Sequence, residues 1–307
     1  MTFIPIIDLK NINTHDIYQG CLKSGFLFIK NSDINDKEIQ NISKTFFEST
    51  SENEKQKHKI VNDNHGFVDI NVERLDTTIE QQDLKQAFNF HVKSTFIDKD
   101  KPLPNLFNEE FDKLRKFTFD CHNLCLELLK HFSLILNLPV DYFADRHSIT
   151  DHHSTTLRLL YYPKITNEFN NTFKSNLRAG KHSDYGSLTL LFQNDAMSGL
   201  QILNPDNEKW IDVIPPPNED VILCNIGDLL EFWTGGLFKS TIHRVLKPET
   251  SAKERLSIAY FLHPNDDCQI KSLNNNNLNT YIKGILLENR FTAKEYLNQR
   301  LNATYKP

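Results

Sequence analysis

The sequence predicts a mainly β fold with flanking helices, its core a β-barrel or double-sheet sandwich. Three observations carry this. After about residue 155, short apolar strands follow one another at regular spacing, with Gly-Asp and Pro-rich turns between them. No helices alternate with those strands at βαβ spacing, and neither a G-x-G-x-x-G nor a P-loop sequence occurs, which argues against a doubly wound nucleotide fold. One long amphipathic segment near 108–137 precedes the strands and can back a sheet.

The elements follow in order. "FIPIIDL" and "GFLFIK" read as short strands punctuated by Gly20 and Gly25. Asp33 is expected to cap a helix running to about Thr50, and Ser51 to Glu54 carries the S-x-x-E capping box of another short one. In the long segment Phe111, Leu114, Thr118, Cys121, Cys125, Leu128, Phe132 and Ile135 recur at three- and four-residue spacing, and Pro139 lies just beyond. The strands are "TLRLLYYP", "SLTLLFQ", "GLQIL", "KWIDVIP", "DVILCNI", "FKSTIHRVL" and "ERLSIAYFL". The run "SLNNNNLNT" at 272–280 reads as an exposed connection, followed by a C-terminal helix over 280–301. One domain, 1–307, is therefore expected, with a mixed α/β region over 1–150 and the β core over 151–270.

Composition bounds the function. With 39% hydrophobic residues, 22 Phe and 24% charged residues, the 307-residue chain can build a sizeable core. A net charge of -5 with scattered Lys and Arg offers no footprint for nucleic acid. No secretory leader or bilayer-spanning run is visible, so a soluble cytoplasmic or nuclear protein without a membrane partner is expected; the oligomeric state stays open, a monomer being favoured. The 5 Cys fit neither a disulfide framework nor a zinc ribbon; Cys121 and Cys125, one helical turn apart, read as small core residues.

The chemistry concentrates in "KHSDYG". On a strand, His182 and Asp184 share a face, and His243 interrupts the apolar strand "KSTIHRVL". Two His and one carboxylate with an open side form the facial triad of non-haem Fe(II) oxygenases. With 12 His in the chain, ordinary polar decoration is the competing reading. Further on, Arg255, Ser257, Ala259 and Phe261 share one face of "ERLSIAYFL". An inward guanidinium needs an anion, either a bound carboxylate or an internal Asp or Glu. On "TLRLLYYP", Arg158, Leu160 and Tyr162 share a face, so Tyr162 can present its hydroxyl to the same cavity.

Together these residues resemble the isopenicillin N synthase-like branch of the Fe(II)/2-oxoglutarate-dependent dioxygenases. The similarity runs through "IPIIDL", "LRLLYYP", "RAGKHSDYGSLTLLFQ", "GLQI", "NIGDLLEFWTGGLFKSTIHRV" and "RLSIAYFLHP". It implies a distorted double-stranded β-helix, or jelly roll, backed by the long helix. It implies that His182, Asp184 and His243 bind Fe(II), that Arg255 and Ser257 hold the distal carboxylate of 2-oxoglutarate, and that Tyr162 touches this co-substrate. Leu160 stands where plant members usually carry Asn, which removes a polar contact near the iron. The implied reaction consumes O2 and 2-oxoglutarate, releases succinate and CO2, oxidises a small molecule, and uses ascorbate as reductant. Substrate candidates are "DNHGFVD" at 63–69, "LKQAFNFHV" at 84–92 with Phe88, Arg178 and Phe261. A 2-oxoglutarate-independent iron oxidase, a catalytically silent binding relative and a zinc hydrolase are the alternatives.

Overall fold

A computed structural model describes the chain except for residues 1–3, 61–63, 77, 81, 165, 167–175, 194–198, 218, 248–253, 274–280, 283–284, 287–290 and 306–307. The N-terminal region runs β1 (Ile6–Asp8), α1 (Thr14–Lys23), β2 (Phe26–Lys30), α2 (Lys37–Ser49), α3 (Glu52–Lys57), β3 (Gly66–Val68), β4 (Gln86–His91), a π-helical turn, α4 (Asn105–Glu109) and α5 (Phe111–Ile135). There follow β5 (Thr156–Tyr162), β6 (Leu177–His182), β7 (Leu188–Gln193), β8 (Leu200–Leu203), β9 (Trp210–Asp212), β10 (Val221–Ile226), α6 (Asp228–Trp233), β11 (His243–Leu246) and β12 (Arg255–Leu262). The chain closes with β13 (Gln269–Ile270), β14 (Tyr281–Ile282), β15 (Ile285–Leu286), β16 (Phe291–Thr292) and α7 (Ala293–Tyr305).

Two sheets face each other. One has 8 strands in the order β1-β2-β10-β7-β12-β5-β4-β3, the other 4 in the order β6-β11-β8-β9. All pairings within them are antiparallel except β1 with β2, and the interleaving of distant strands is that of the jelly roll.

Strand alternation divides the apolar residues between two cores. Leu157 and Leu159 of β5, and Ile258 and Tyr260 of β12, turn outward to pack under the helices. Leu160, Tyr162 and Ala259 turn inward between the sheets. The outer core is closed by α5, whose Leu114, Thr118, Cys121, Cys125, Leu128 and Phe132 are all buried. Each such Leu or Phe contributes about 1.5–3 kcal/mol by leaving water. Thr118 satisfies its hydroxyl on the Leu114 carbonyl at 2.7 Å. The helix ends in a Schellman motif: Asn137 is left-handed (φ 56°), and the amides of Leu138 and Asn137 return to Ser133 and Leu134 at 2.9 and 3.0 Å.

Three local expectations change. Asp33 is left-handed (φ 56°) and stands outside α2, whose first amide, at Lys37, is taken by the Asn35 side chain at 3.1 Å. The Ser51 cap does form, accepting from the Glu54 amide at 3.3 Å. Ahead of both, Gly20 lies inside α1 rather than punctuating a strand; a Cβ there would strike the Leu27 side chain, so the glycine lets α1 lie close on β2. The C-terminal helix begins at Ala293 rather than near 280, since Tyr281–Ile282, Ile285–Leu286 and Phe291–Thr292 form short β-pairings; residues 274–280 lie outside the described ones.

Candidate active site

The cavity between the sheets measures about 130 Å³, room for several water-sized groups, and His182, Asp184 and His243 form part of its wall. His182 pairs directly opposite His243 across β6 and β11, and their ring centroids lie 4.2 Å apart. β6 ends at His182, so Asp184 stands on the turn just past the strand, its backbone carbonyl accepting from the Asp228 amide at 2.8 Å. Because alternation stops there, Ser183 and Tyr185 also reach the cavity wall instead of turning to the opposite face. Asp184 Oδ1 lies 3.9 Å from His182 Nε2 and 3.7 Å from His243 Nε2. The three ligand atoms fall within 4.8 Å of one another, the only such cluster among the described residues.

Hydrogen bonds orient all three. His182 Nδ1 donates to the Gly180 carbonyl (2.8 Å) and His243 Nδ1 to the Thr241 carbonyl (3.1 Å), which leaves each Nε2 lone pair facing Asp184. Asp184 Oδ2 accepts from Thr189 Oγ1 (2.6 Å) and Asn225 Nδ2 (2.8 Å), freeing Oδ1 for a metal. Burial pushes the His182 imidazole down to about 3, with His243 adding to the effect. Burial alone would raise the Asp184 carboxyl, but the two imidazoles and the bonds from Asn225 and Thr189 outweigh it and hold it low. Neutral imidazole beside ionised carboxylate is the protonation state a divalent cation requires.

A second set of groups lines the same cavity. Arg255 Nη2 donates to Gln193 Oε1 at 2.9 Å and the guanidinium lies 4.8 Å over the Tyr162 ring, while its buried Nη1 has no partner. A buried cation with an unmatched donor fits a carboxylate ligand. Ser257 lies on the same wall, and Leu160 stands opposite it in register. The donor set therefore suits both Fe(II) and a 2-oxo acid.

Phe261 lines the cavity; Phe88 and Arg178 do not. Phe88 faces the helices, its ring 5.4 Å from Phe46 and 4.9 Å from Phe107, so Asn89 takes the inward place on β4. A β-bulge turned Arg178 away. β6 advances from His182 to Ala179 while β11 advances only from His243 to Val245, so Ala179 and His182 both face inward. Arg178 then lies against the Tyr162 ring at 5.8 Å and donates to the Pro163 carbonyl at 3.0 Å. Of the 63–69 segment, Asn64 reaches the cavity and Asp63 lies outside the described residues. Thr189, Asn225 and Gln193 were missed by sequence reasoning, although Asn225 interrupts "VILCNI" much as His243 interrupts its own strand.

A jelly roll with a His-Asp-His face opening on a buried arginine defines a non-haem iron oxygenase. Two family descriptions match the chain: the 2OG-Fe(II) oxygenase superfamily over residues 153–264, and the N-terminal region of the non-haem dioxygenase in morphine synthesis over residues 4–110. A UPF0676 protein of Schizosaccharomyces pombe is 34% identical, across 98% of this chain and 92% of its own. A 1-aminocyclopropane-1-carboxylate oxidase of Dictyostelium mucoroides is 30% identical, across 85% and 82%. A Neurospora crassa structure in complex with alpha-KG (2-oxoglutarate) and thymine superposes with a TM-score of 0.78 at 26% identity, covering 98% of this chain and 96% of that one. The chain belongs to the 2OG-Fe(II) oxygenase superfamily. It is a 2-oxoglutarate-dependent dioxygenase, an oxidoreductase whose cofactor is Fe(II) and whose co-substrate is 2-oxoglutarate. No helix among the described residues is long and apolar enough to cross a membrane.

Proposed function

We propose that His182, Asp184 and His243 hold the Fe(II), that Arg255, Ser257 and Tyr162 seat the distal carboxylate of 2-oxoglutarate, and that a small metabolite is oxidised in the space left between them. The observation that carries this reading is the unpartnered Nη1 of Arg255 in the cavity that also holds the His-Asp-His cluster. When bound, the iron supplies the chemistry that couples decarboxylation of 2-oxoglutarate by O2, giving succinate and CO2, to oxidation of a substrate C–H bond. The chain's residues do the rest. Asp184 offers one oxygen because Thr189 and Asn225 occupy the other. Arg255, steadied by Gln193 and by the Tyr162 ring, fixes the co-substrate's far end and so its direction. Phe261, Leu297 and Leu301 supply apolar wall that excludes water from the reacting carbon. Ascorbate serves as reductant, and the working unit is a monomer.

The test is co-substrate binding. Adding 2-oxoglutarate to the anaerobic Fe(II) protein should produce a visible absorption band, and air should then yield succinate. In Arg255→Ala the 2-oxoglutarate affinity should fall about 10- to 150-fold, the worth of a charged hydrogen bond of roughly 1.5–3 kcal/mol. An unchanged affinity would refute the seat.

A further inference from the structure

The cavity wall on the β4–β5 side is polar and is not needed by the iron or the co-substrate. Arg158 Nη2 donates to Glu73 Oε2 at 2.6 Å, and Lys85 Nζ stands 3.1 Å from the same oxygen and 2.5 Å from Asp83 Oδ2. Asp83 Oδ1 accepts from the Gly180 amide at 2.9 Å. Two cations and two carboxylates thus close on one another with no net charge. Burial would lower the Lys85 ammonium, but Asp83 and Glu73 outweigh it and raise it, so it stays charged. The other ionic groups on the wall are already matched: Asp184 to the metal and Arg255 to the co-substrate. His263, also on the wall, is pushed by burial down to about 4 and is neutral. A net charge on the substrate would be buried with no counter-ion, at a cost of several kcal/mol.

One acceptor remains open against this wall. Thr156 uses its only hydroxyl hydrogen on the Ser154 carbonyl at 3.0 Å, so it accepts from Asn64 Nδ2 at 3.5 Å. Asn64 Oδ1 in turn accepts from Asn89 Nδ2 at 2.8 Å. Turning the Asn89 amide over would set two carbonyl oxygens against each other. Asn89 Oδ1 is therefore left as an acceptor without a partner, on a cavity residue only 1% exposed. From β4 to β7, which carries Thr189, there are three strand spacings, no more than about 14 Å along the curved sheet.

Resting on the active-site reading above, we propose that the substrate is an electrically neutral small molecule that donates an N–H or O–H hydrogen to Asn89 Oδ1. Lactams, primary amides and cyclic ureas are the fitting class. Asn89 is then a specificity-determining residue, and the carbon oxidised lies at the other end of the molecule from the group that Asn89 reads.

The test uses the full chain loaded anaerobically with Fe(II) and 2-oxoglutarate, with the visible band checked first. A missing band counts against the active-site reading and not against the substrate class. Ligand-induced shifts in melting temperature are then measured for four matched sets: neutral donors (caprolactam, benzamide, 2-imidazolidinone), their N-methylated forms, carboxylates such as hexanoate, and cations such as hexylammonium. Stabilising ligands should fall in the first set and lose at least tenfold in affinity on N-methylation. Asn89→Leu should lose the same factor for those ligands, and Asn89→Asp should shift preference toward the cations. The methylation comparison uses the natural protein and stands even if a variant misfolds. Stabilisation confined to charged ligands, equal binding of the methylated forms, or no binder among the neutral donors overturns the proposal.

Discussion

Thr189 and Asn225 decide which oxygen of Asp184 is left free for the proposed metal, because both donate to Oδ2. Replacing either by an apolar residue of similar size (Thr189→Val or Asn225→Leu) should leave the three ligands in place and weaken iron binding about 10- to 100-fold. Titrating the anaerobic protein with Fe(II) in excess 2-oxoglutarate and following the visible band checks this; equal midpoints in variant and parent would refute it. Of the proposed metal and co-substrate residues, His243, Arg255, Ser257 and Tyr162 are legible in one dimension, since each is a polar side chain at an inward position of a largely apolar strand, whereas Asp184 stands on the turn past β6 and is marked by its H-x-D spacing from His182. Arg178 is not, because its facing depends on a bulge created by the pairing of β6 with β11. Phe88 and Asn89 are equally spaced in sequence, and which of them faces the cavity follows from which side of β4 the helices cover.

Helix α7 lines the cavity with Leu297, Leu301 and Thr304, and is tied down by one buried carboxylate. Asp228, fully buried at the start of α6, accepts from Ser183 (3.1 Å), Ser240 (2.7 Å) and Tyr296 (2.7 Å), and pairs with Arg300 at 3.1 Å. Arg300 also lies 4.3 Å over the ring of Tyr185, one residue past Asp184. The C-terminal helix and the turn bearing Asp184 thus share one anchor. Removing the guanidinium strands the Asp228 charge, so Arg300→Ala should cost about 3 kcal/mol, the lower end for a broken buried pair because Arg300 keeps some solvent contact. Urea unfolding of the metal-free protein measures it, and a loss below about 1 kcal/mol would show that α7 is held by its apolar face alone. This anchor was invisible in sequence because Ser183 lies 45 residues before Asp228 and Tyr296 68 residues after it, and none of its members stands out in composition.

At the scale of the whole molecule, three buried histidines outside the His-Asp-His cluster set the response to acid. Burial pushes His122 down to about 4, His147 to about 3 and His263 to about 4. Their folded values lie below the unfolded value near 6.5, so between about pH 6.5 and 4 the unfolded chain takes up protons that the folded one refuses. Stability from these groups is complete above pH 6.5 and falls as the pH drops, by up to about 1.4 kcal/mol per unit for each histidine. Urea midpoints of the metal-free protein at pH 7.5, 6 and 5 should decline steeply across the last interval; a flat profile would mean that these imidazoles protonate in place. The sequence alone determined the strand alternation and the long α5 stripe, because period-2 and period-3.6 patterns are local properties of the chain, and the likeness of its motifs to a known family singled out the five polar residues of the proposed site. Only the tertiary structure decided which face of β4 meets the cavity, that Arg178 is turned away, and that Glu73, Asp83, Lys85 and Arg158 neutralise one another. Those outcomes depend on pairing register and on contacts between segments remote in sequence, and side-chain spacing does not encode them.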